Sequence, residues 1–136
     1  MCGIFGLVSQ SKVDRSDLKT LVLHARQRGR DSSGLIYVDH SSYRVERADY
    51  DVLKLLSKVK PYGSNIVFGH SRLITNGLGD NQPVVRNGIC VIHNGIIVND
   101  AEIWQKITPK RQLKIDSEVI AAITEQHLDE RADLST

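Results

Sequence analysis

The chain has 136 residues, of which 40% are hydrophobic and 25% charged, and its formal net charge is +2. This size and composition are typical of one globular domain with a modest core and exclude a disordered protein. Because the net charge is small and the basic clusters lack interleaved aromatic residues, a nucleic-acid partner is not indicated. No apolar stretch is long enough to span a bilayer and no secretory signal is evident, so we expect a cytoplasmic protein without a membrane partner.

The chain contains two cysteines, Cys2 and Cys90. Two cysteines are too few for a disulfide framework, and we expect both to be thiols. No pair of cysteine and histidine residues has the spacing of a zinc site, so we predict no metal and no cofactor.

The beginning of the chain predicts a strand followed by a helix. Residues 3–9 form an apolar run that ends in turn residues, which indicates a buried strand. The helix that follows has Asp14 or Ser16 as its N-cap and Gly29 as its stop signal. Its apolar stripe consists of Leu18, Leu21, Val22 and Ala25.

The middle of the chain predicts a hairpin, a helix and a strand. Residues 33–39 and 42–49 flank a polar turn and form the hairpin. A short helix then ends before Pro61, and residues 65–73 form the next strand.

Two Asn-Gly dipeptides mark the rest of the chain, at Asn87-Gly88 and at Asn94-Gly95. Each stands between apolar runs, which is the strongest short-range signal for a hairpin. Strands that arrive in hairpins, with helices between them, predict an α+β fold with a largely antiparallel sheet. Two helices are predicted to close the chain, over residues 101–107 and 117–128.

Cys2 is the first candidate for chemistry. Removal of Met1 would place a thiol and a free α-amine on the same residue, which gives a nucleophile that carries its own base. Gly3 and Gly6 would let a substrate approach the thiol closely. The ordinary alternative is a small residue at the start of a buried strand.

Action on the carboxamide of an amino acid also requires a cation for the α-carboxylate and an acid for the ammonium. Arg72 offers a fork that can bind a carboxylate with two hydrogen bonds, and the Thr75 hydroxyl is a nearby donor in sequence. A surface ion pair is the alternative for Arg72. Asp116 could receive the ammonium, although a helix N-cap would explain the same residue.

Such a reaction finally needs donors for the oxyanion that forms on the amide carbonyl. The side-chain amide of Asn94 and the backbone N–H of Gly95 are candidates for these donors. A plain hairpin turn is the alternative interpretation of this dipeptide.

Six stretches of the chain, taken in order, resemble the glutamine-hydrolysing domain of the class II, N-terminal-nucleophile amidotransferases. They are MCGIFG, RQRGRDSSGLI, GHSRLITNG, NQP, CVIHNGIIVN and DSEV. No single stretch is decisive, whereas the ordered set is highly specific and extends over nearly all residues. The combination of HNGIIVN with DSEVI is most similar to the glucosamine-6-phosphate synthase branch and somewhat similar to the purine amidophosphoribosyltransferase branch.

The resemblance implies a four-layer αββα sandwich of the N-terminal-nucleophile hydrolases. Residues 1–136 would form the N-terminal portion of the glutaminase domain. In the family this domain continues with strands that complete a second sheet, so we expect the fold to be incomplete at the C-terminus. The acceptor domain of the family has no counterpart in these residues.

The resemblance also implies the role of each site residue. Cys2 would attack the side-chain amide of L-glutamine and form a glutamyl thioester, while Asn94 and Gly95 stabilise the oxyanion. Arg72 would bind the α-carboxylate of glutamine and Asp116 its α-ammonium, with Thr75 completing the pocket. We treat His70 and His93 as structural residues.

The expected partner of the glutaminase is an ammonia-accepting synthase domain or subunit, for which amino-sugar formation is one candidate reaction, and the formation of an oligomer stays open. Acceptor chemistry like that of the purine amidophosphoribosyltransferases or asparagine synthetases stays open. Ile96 departs from the acidic residue usual in asparagine synthetases, whereas Leu73 and the segment GDNQP lean toward that group. A different class of function also stays open: a non-catalytic glutamine-binding or regulatory module, or an inactive fragment whose amine is blocked by Met1.

Overall fold

A computed structural model of the chain describes residues 2–73 and 81–133. The chain divides into a first unit, Met1–Pro83, and a second unit, Val84–Thr136. Each unit contains its own cluster of buried apolar side chains. Among the described residues, no helix combines the length and the apolar character needed to cross a membrane.

The first unit contains a four-stranded sheet and two helices. In chain order the elements are β1 (Gly3–Val8), α1 (Arg15–Arg26), β2 (Ser32–Asp39), β3 (Ser42–Ala48), α2 (Val52–Val59) and β4 (Ile66–Arg72). All strand pairs are antiparallel, and the strand order is β1-β4-β2-β3.

Aspartate N-caps start both helices of the first unit. The Asp14 carboxylate accepts the backbone N–H groups of Ser16 and Asp17 at 2.8 and 2.9 Å, and Asp51 caps α2 through Leu53. Asp51 also pairs with Arg26 in the last turn of α1, so that one carboxylate joins the two helices. Apolar residues of both helices share the core with the sheet: Leu18, Val22, Leu35, Val52, Leu55 and Val67 are among its members.

The second unit contains a two-stranded antiparallel sheet and two helices. Its elements are β5 (Val84–Arg86), β6 (Ile89–Val91), α3 (Asp100–Trp104) and α4 (Glu118–Asp133). The β5–β6 turn has positive φ at Asn87 (43°) and Gly88 (81°), as a type I′ turn requires. Val84, Val91 and Ala121 form the buried centre of this unit.

The structure confirms the predicted α+β class, the antiparallel pairing and the hairpins on either side of residues 40–41 and 87–88. The hairpin predicted at Asn94-Gly95 is wrong, because residues 92–97 form no strand. Neither Asn94 nor Gly95 is among the described residues with positive φ. The backbone N–H of Ile97 donates instead to the side chain of Asp116, which lies 19 residues further along the chain.

Candidate active site

Cys2 and Arg72 lie at the same end of the four-stranded sheet. Cys2 directly precedes β1, and Arg72 is the last residue of β4. The antiparallel register aligns Gly3 with Ser71, so the residues just outside this pair, Cys2 and Arg72, lie at the same end of the sheet. Both side chains are partly exposed. The first unit thus holds the candidate nucleophile and the candidate carboxylate-binding cation on neighbouring strands.

The backbone around Arg72 is held by the segment that follows α1. The carbonyl of Arg72 accepts the backbone N–H of Asp31 at 3.0 Å, and the Ser71 hydroxyl donates to the carbonyl of Gly29 at 2.6 Å. A Cβ atom at Gly29 would lie only 2.2 Å from Arg72 C and Leu73 N. Glycine is therefore needed at position 29 for the two backbones to approach so closely.

In the second unit, His93 packs beneath the candidate oxyanion donors. A Cβ atom added at Gly95 would lie 2.7 Å from Nε2 and 3.2 Å from Cε1 of the His93 ring. The other ring nitrogen, Nδ1, is 3.1 Å from the Ser117 hydroxyl. The imidazole consequently fills the space next to the Gly95 Cα atom while it is tied to the residue before α4.

The Asp116 carboxylate joins the residues after Gly95 to the residues before α4. Its Oδ2 atom accepts the backbone N–H of Ile97 at 2.7 Å, and its Oδ1 atom accepts the Ser117 hydroxyl at 3.3 Å. Asp116 is not the side-chain N-cap considered from the sequence, because α4 begins at Glu118 and the Asp116 carboxylate bonds to the Ile97 N–H and the Ser117 hydroxyl instead. The structure therefore brings Asp116 to the segment that contains Asn94 and Gly95.

A buried network of charges supports this arrangement. Arg86 and Glu118, whose side chains are 6% and 1% exposed, form an ion pair at 2.8 Å. The Glu118 carboxylate also accepts the backbone N–H groups of Gln112 at 3.1 Å and Leu113 at 2.7 Å. Through Glu118, the loop before Asp116 is attached to the first residue of α4.

Arg86 makes further contacts that complete the network. It donates to the Lys110 carbonyl at 3.0 Å and pairs with Oε2 of Glu125. The other carboxylate oxygen of Glu125, Oε1, accepts the side-chain amide of Asn87. The hydrogen bond from Arg86 is the main cause that lowers the pKa of Glu125, and the hydrogen bond to Glu125 raises the pKa of Arg86 above its already high ordinary value. Both groups are thus charged at neutral pH.

The structure groups the predicted site residues within the two units. Cys2 and Arg72 share one end of the sheet in the first unit, whereas Asn94, Gly95 and Asp116 occupy connected segments of the second. Thr75 and Met1 lie outside the described residues. Across residues 2–73 and 81–133 there is no group of three or more His, Cys, Asp or Glu side chains able to hold a metal ion.

Three residues of this region were not predicted as functional from the sequence: Arg86, Ser117 and Glu118. Ser117 and Glu118 belong to the DSEV stretch, so the resemblance marked them without giving them a role. The signal for Arg86 is its place in β5, where it follows Val84 by two residues and so shares the buried face of the strand. A charge at such an inward position requires a buried partner.

The fold of the chain is also found in a solved structure. The structure of the glutamine phosphoribosylpyrophosphate amidotransferase from B. subtilis matches 92% of the chain with a TM-score of 0.71 and 21% sequence identity, and the match covers 29% of that structure's chain. This match confirms the predicted fold: the chain folds as part of that amidotransferase structure does.

Sequence relatives identify the class more closely. An amidophosphoribosyltransferase of Pasteurella multocida is 34% identical in an alignment that covers 95% of the chain and 28% of the relative. A glutamine–fructose-6-phosphate aminotransferase of Mesorhizobium japonicum is 30% identical in an alignment that covers 94% of the chain and 22% of the relative. The resemblance to class II glutamine amidotransferases is confirmed by these two relatives.

The similarity covers only part of the length of each relative. The chain spans less than a third of the length of these relatives, at 28% and 22%. No protein-family model matches the chain.

Proposed function

We propose that the chain is the N-terminal portion of a glutaminase domain, residues 1–136, which hydrolyses the side-chain amide of L-glutamine. The ammonia that is released passes to an acceptor domain or partner subunit. The observation that carries this proposal is the similarity over 95% of the chain to an amidophosphoribosyltransferase, together with a cysteine at position 2. The position of Cys2 and Arg72 at one end of the same sheet supports it.

In this mechanism the Cys2 thiol loses its proton to the α-amine exposed by removal of Met1. The sulfur attacks the amide carbon of glutamine, and the carbonyl oxygen becomes an oxyanion. The Asn94 amide and the Gly95 N–H donate hydrogen bonds to that oxygen, and loss of one such donor typically lowers kcat about 10²- to 10³-fold. The leaving nitrogen takes up the proton and departs as ammonia.

The glutamyl thioester is then hydrolysed. A water molecule gives a proton to the α-amine and adds to the thioester carbon, and the sulfur leaves as glutamate forms. Arg72 binds the α-carboxylate of glutamine with its planar guanidinium, and Asp116 binds the α-ammonium. Thr75 completes the pocket. These roles distinguish Arg72 and Asp116, which act mainly through KM, from Asn94 and Gly95, which act through kcat.

The acceptor is proposed as a sugar phosphate in amino-sugar formation. The similarity to a glutamine–fructose-6-phosphate aminotransferase supports this choice. The similarity to an amidophosphoribosyltransferase favours a second candidate, transfer of ammonia to a phosphoribosyl pyrophosphate. Product analysis of the natural protein with each acceptor in turn distinguishes the two.

The mechanism is tested by replacing Cys2 with alanine in the natural full-length protein. Cys2→Ala removes the nucleophile, so glutamate release falls to the background rate while glutamine binding, measured by calorimetry, persists. A matched control is Cys90→Ala, which alters the other thiol of the chain and leaves glutamate release unchanged. Glutamate release by Cys2→Ala at the wild-type rate would exclude the thioester mechanism. A wild-type protein that binds glutamine without hydrolysing it would instead indicate a non-catalytic module.

A further inference from the structure

We propose that His93 and Ser117 are positioning residues, which hold the Asn94–Gly95 segment in the geometry needed to donate hydrogen bonds to the oxyanion. This inference rests on the proposed glutaminase function and assigns a role to two residues that do not themselves contact the substrate. Its basis is a set of contacts that lie entirely within the second unit.

The Asn94–Gly95 segment is attached to the Asp116-Ser117 dipeptide on both of its sides. On the N-terminal side, His93 Nδ1 is 3.1 Å from the Ser117 Oγ atom. On the C-terminal side, the Ile97 N–H donates to Asp116 Oδ2 at 2.7 Å. Two adjacent residues thus hold His93 and Ile97, which lie on either side of the candidate donors in the chain.

The Ser117 hydroxyl links the two attachments. It donates to Asp116 Oδ1 at 3.3 Å. The same oxygen atom therefore contacts both the His93 ring and the Asp116 carboxylate. This pattern orients the imidazole, and with it the ring edge that faces Gly95.

Gly95 packs on the opposite edge of the same ring. A Cβ atom at this position would lie 2.7 Å from His93 Nε2, closer than carbon and nitrogen atoms approach without displacement. Since Gly95 does not have positive φ, the conformation of the backbone is not what requires glycine here. The requirement comes from the ring beneath it, which contacts the residue whose N–H is the proposed donor.

The dipeptide that holds the segment is itself firmly anchored. Ser117 is 1% exposed, and its carbonyl accepts the backbone N–H of Ile120 at 3.3 Å in the first turn of α4. The neighbouring Glu118 is fixed by the ion pair with Arg86. A rigid attachment is what donors to a transition-state charge need, since their contribution depends on orientation before the reaction begins.

The inference predicts a change in kcat without a matching change in KM. Ser117→Ala removes the contact to His93, so the donors lose their fixed orientation and kcat falls about ten- to a hundredfold, the cost of a displacement near 1 Å. KM changes less than kcat, because the Ile97 N–H still holds the Asp116 carboxylate at 2.7 Å after the Ser117 hydroxyl is removed. Ser64→Ala is the matched control, because it deletes a buried serine hydroxyl with three hydrogen bonds in the first unit and leaves kcat unchanged.

A pair of variants tests the contact between His93 and Gly95 directly. Gly95→Ala keeps the backbone N–H but displaces the imidazole, so kcat falls about tenfold or more. His93→Asn retains a hydrogen-bonding atom at the position of Nδ1 and deletes Nε2 and Cε1, the two atoms nearest the added Cβ. The double variant Gly95→Ala/His93→Asn therefore recovers kcat to the level of His93→Asn alone. Such non-additivity is expected for residues in contact and not for distant, independent sites.

The experiment uses the natural full-length protein, with steady-state glutamate release and amide hydrogen exchange of residues 93–97 measured on each variant. The expected result is a lower kcat and faster exchange in Ser117→Ala, and rescue of Gly95→Ala by His93→Asn. Wild-type kcat and exchange in Ser117→Ala, or a double variant no better than Gly95→Ala, would overturn the inference. If the wild-type protein releases no glutamate, the proposed function fails, whereas the exchange data still decide whether Ser117 holds the segment.

Discussion

Removal of the Glu118 carboxylate is expected to unfold the second unit more readily than any change at its surface. Glu118→Ala deletes one partner of a buried ion pair and leaves Arg86, itself 6% exposed, with one carboxylate fewer. It also leaves the backbone N–H groups of Gln112 and Leu113 without the acceptor they have in the native structure. Both effects act in the folded state, because in the unfolded chain all these groups are hydrated.

The cost of this substitution follows from what is left behind. Breaking a buried pair by removing one partner costs about 3–5 kcal/mol, most of it from the uncompensated charge. The N–H groups of Gln112 and Leu113 add less than a fully buried donor would, because Gln112 is exposed and Leu113 is only partly buried, so water can replace the carboxylate. Because Arg86 keeps its pairing with Glu125, we expect Glu118→Ala to lower the free energy of unfolding by about 3 kcal/mol, the lower end of this range. Glu118→Gln keeps one acceptor oxygen and costs less.

Urea unfolding measures this difference. Trp104, the single tryptophan of the chain, lies on α3 in the second unit and reports its unfolding by fluorescence. Glu130→Ala is the control, because it makes the same substitution in α4 at an exposed side chain that contacts Gln126, and it should cost no more than about 0.5 kcal/mol. If the free energies of unfolding of Glu118→Ala and Glu130→Ala differ by less than about 1 kcal/mol, the buried network does not stabilise the unit.

Three further predictions concern other parts of the chain. Gly29→Ala forces a Cβ atom against the backbone of Arg72 and should raise KM for glutamine about tenfold, whereas an unchanged KM in glutaminase assays would contradict the role of this contact. Asp14→Ala removes the N-cap of α1 and should cost about 1 kcal/mol in urea unfolding, and no cost would mean that the cap is dispensable. Because Arg86 lowers the pKa of Glu125 in the folded state, the stability this carboxylate contributes is present above the ordinary value of 4.5 and is lost as pH falls through the lower folded value. Glu125→Gln should therefore make the free energy of unfolding less dependent on pH in that acidic range. An unaltered pH dependence would show that Glu125 is not responsible.

Local signals account for the parts of the fold that were predicted correctly. The cap at Asp14 and the turn at Asn87-Gly88 depend on residues within a few positions of each other, and the structure has both. Strand alternation and helical stripes are likewise local patterns, which is why the α+β class could be read from the sequence. Helix ends were less accurate, since α4 extends to Asp133 and α3 ends at Trp104.

The two Asn-Gly dipeptides show where local signals fail. Both stand between apolar runs, yet Asn87-Gly88 forms a hairpin turn and Asn94-Gly95 does not. The difference arises from Asp116, which accepts the Ile97 N–H that a strand ladder would have used. Nothing within the window around residue 94 reveals a partner 19 residues away, so tertiary structure overrides the turn signal there.

The candidate site was predicted in part for a related reason. Individual residue chemistry and motif order indicated Cys2, Arg72 and Asp116 as candidates, and their roles remain proposals. The side chains that support them could not be found in this way, because Arg86 and Glu118 are 32 residues apart and meet only in the folded unit. His93 was predicted to be structural, and the structure shows what it contacts: its ring packs against Gly95, and its Nδ1 atom contacts the Ser117 hydroxyl.

The most direct test of the central claim is the intact mass of the natural full-length protein before and after exposure to a diazoketone analogue of glutamine. Such an analogue alkylates a nucleophile that is poised to attack the glutamine side chain. The account predicts that Met1 is absent and that one adduct forms, which peptide mapping assigns to Cys2. A protein without Met1 that gains no adduct, or gains one only at Cys90, would contradict the assignment of Cys2 as the nucleophile of a glutaminase.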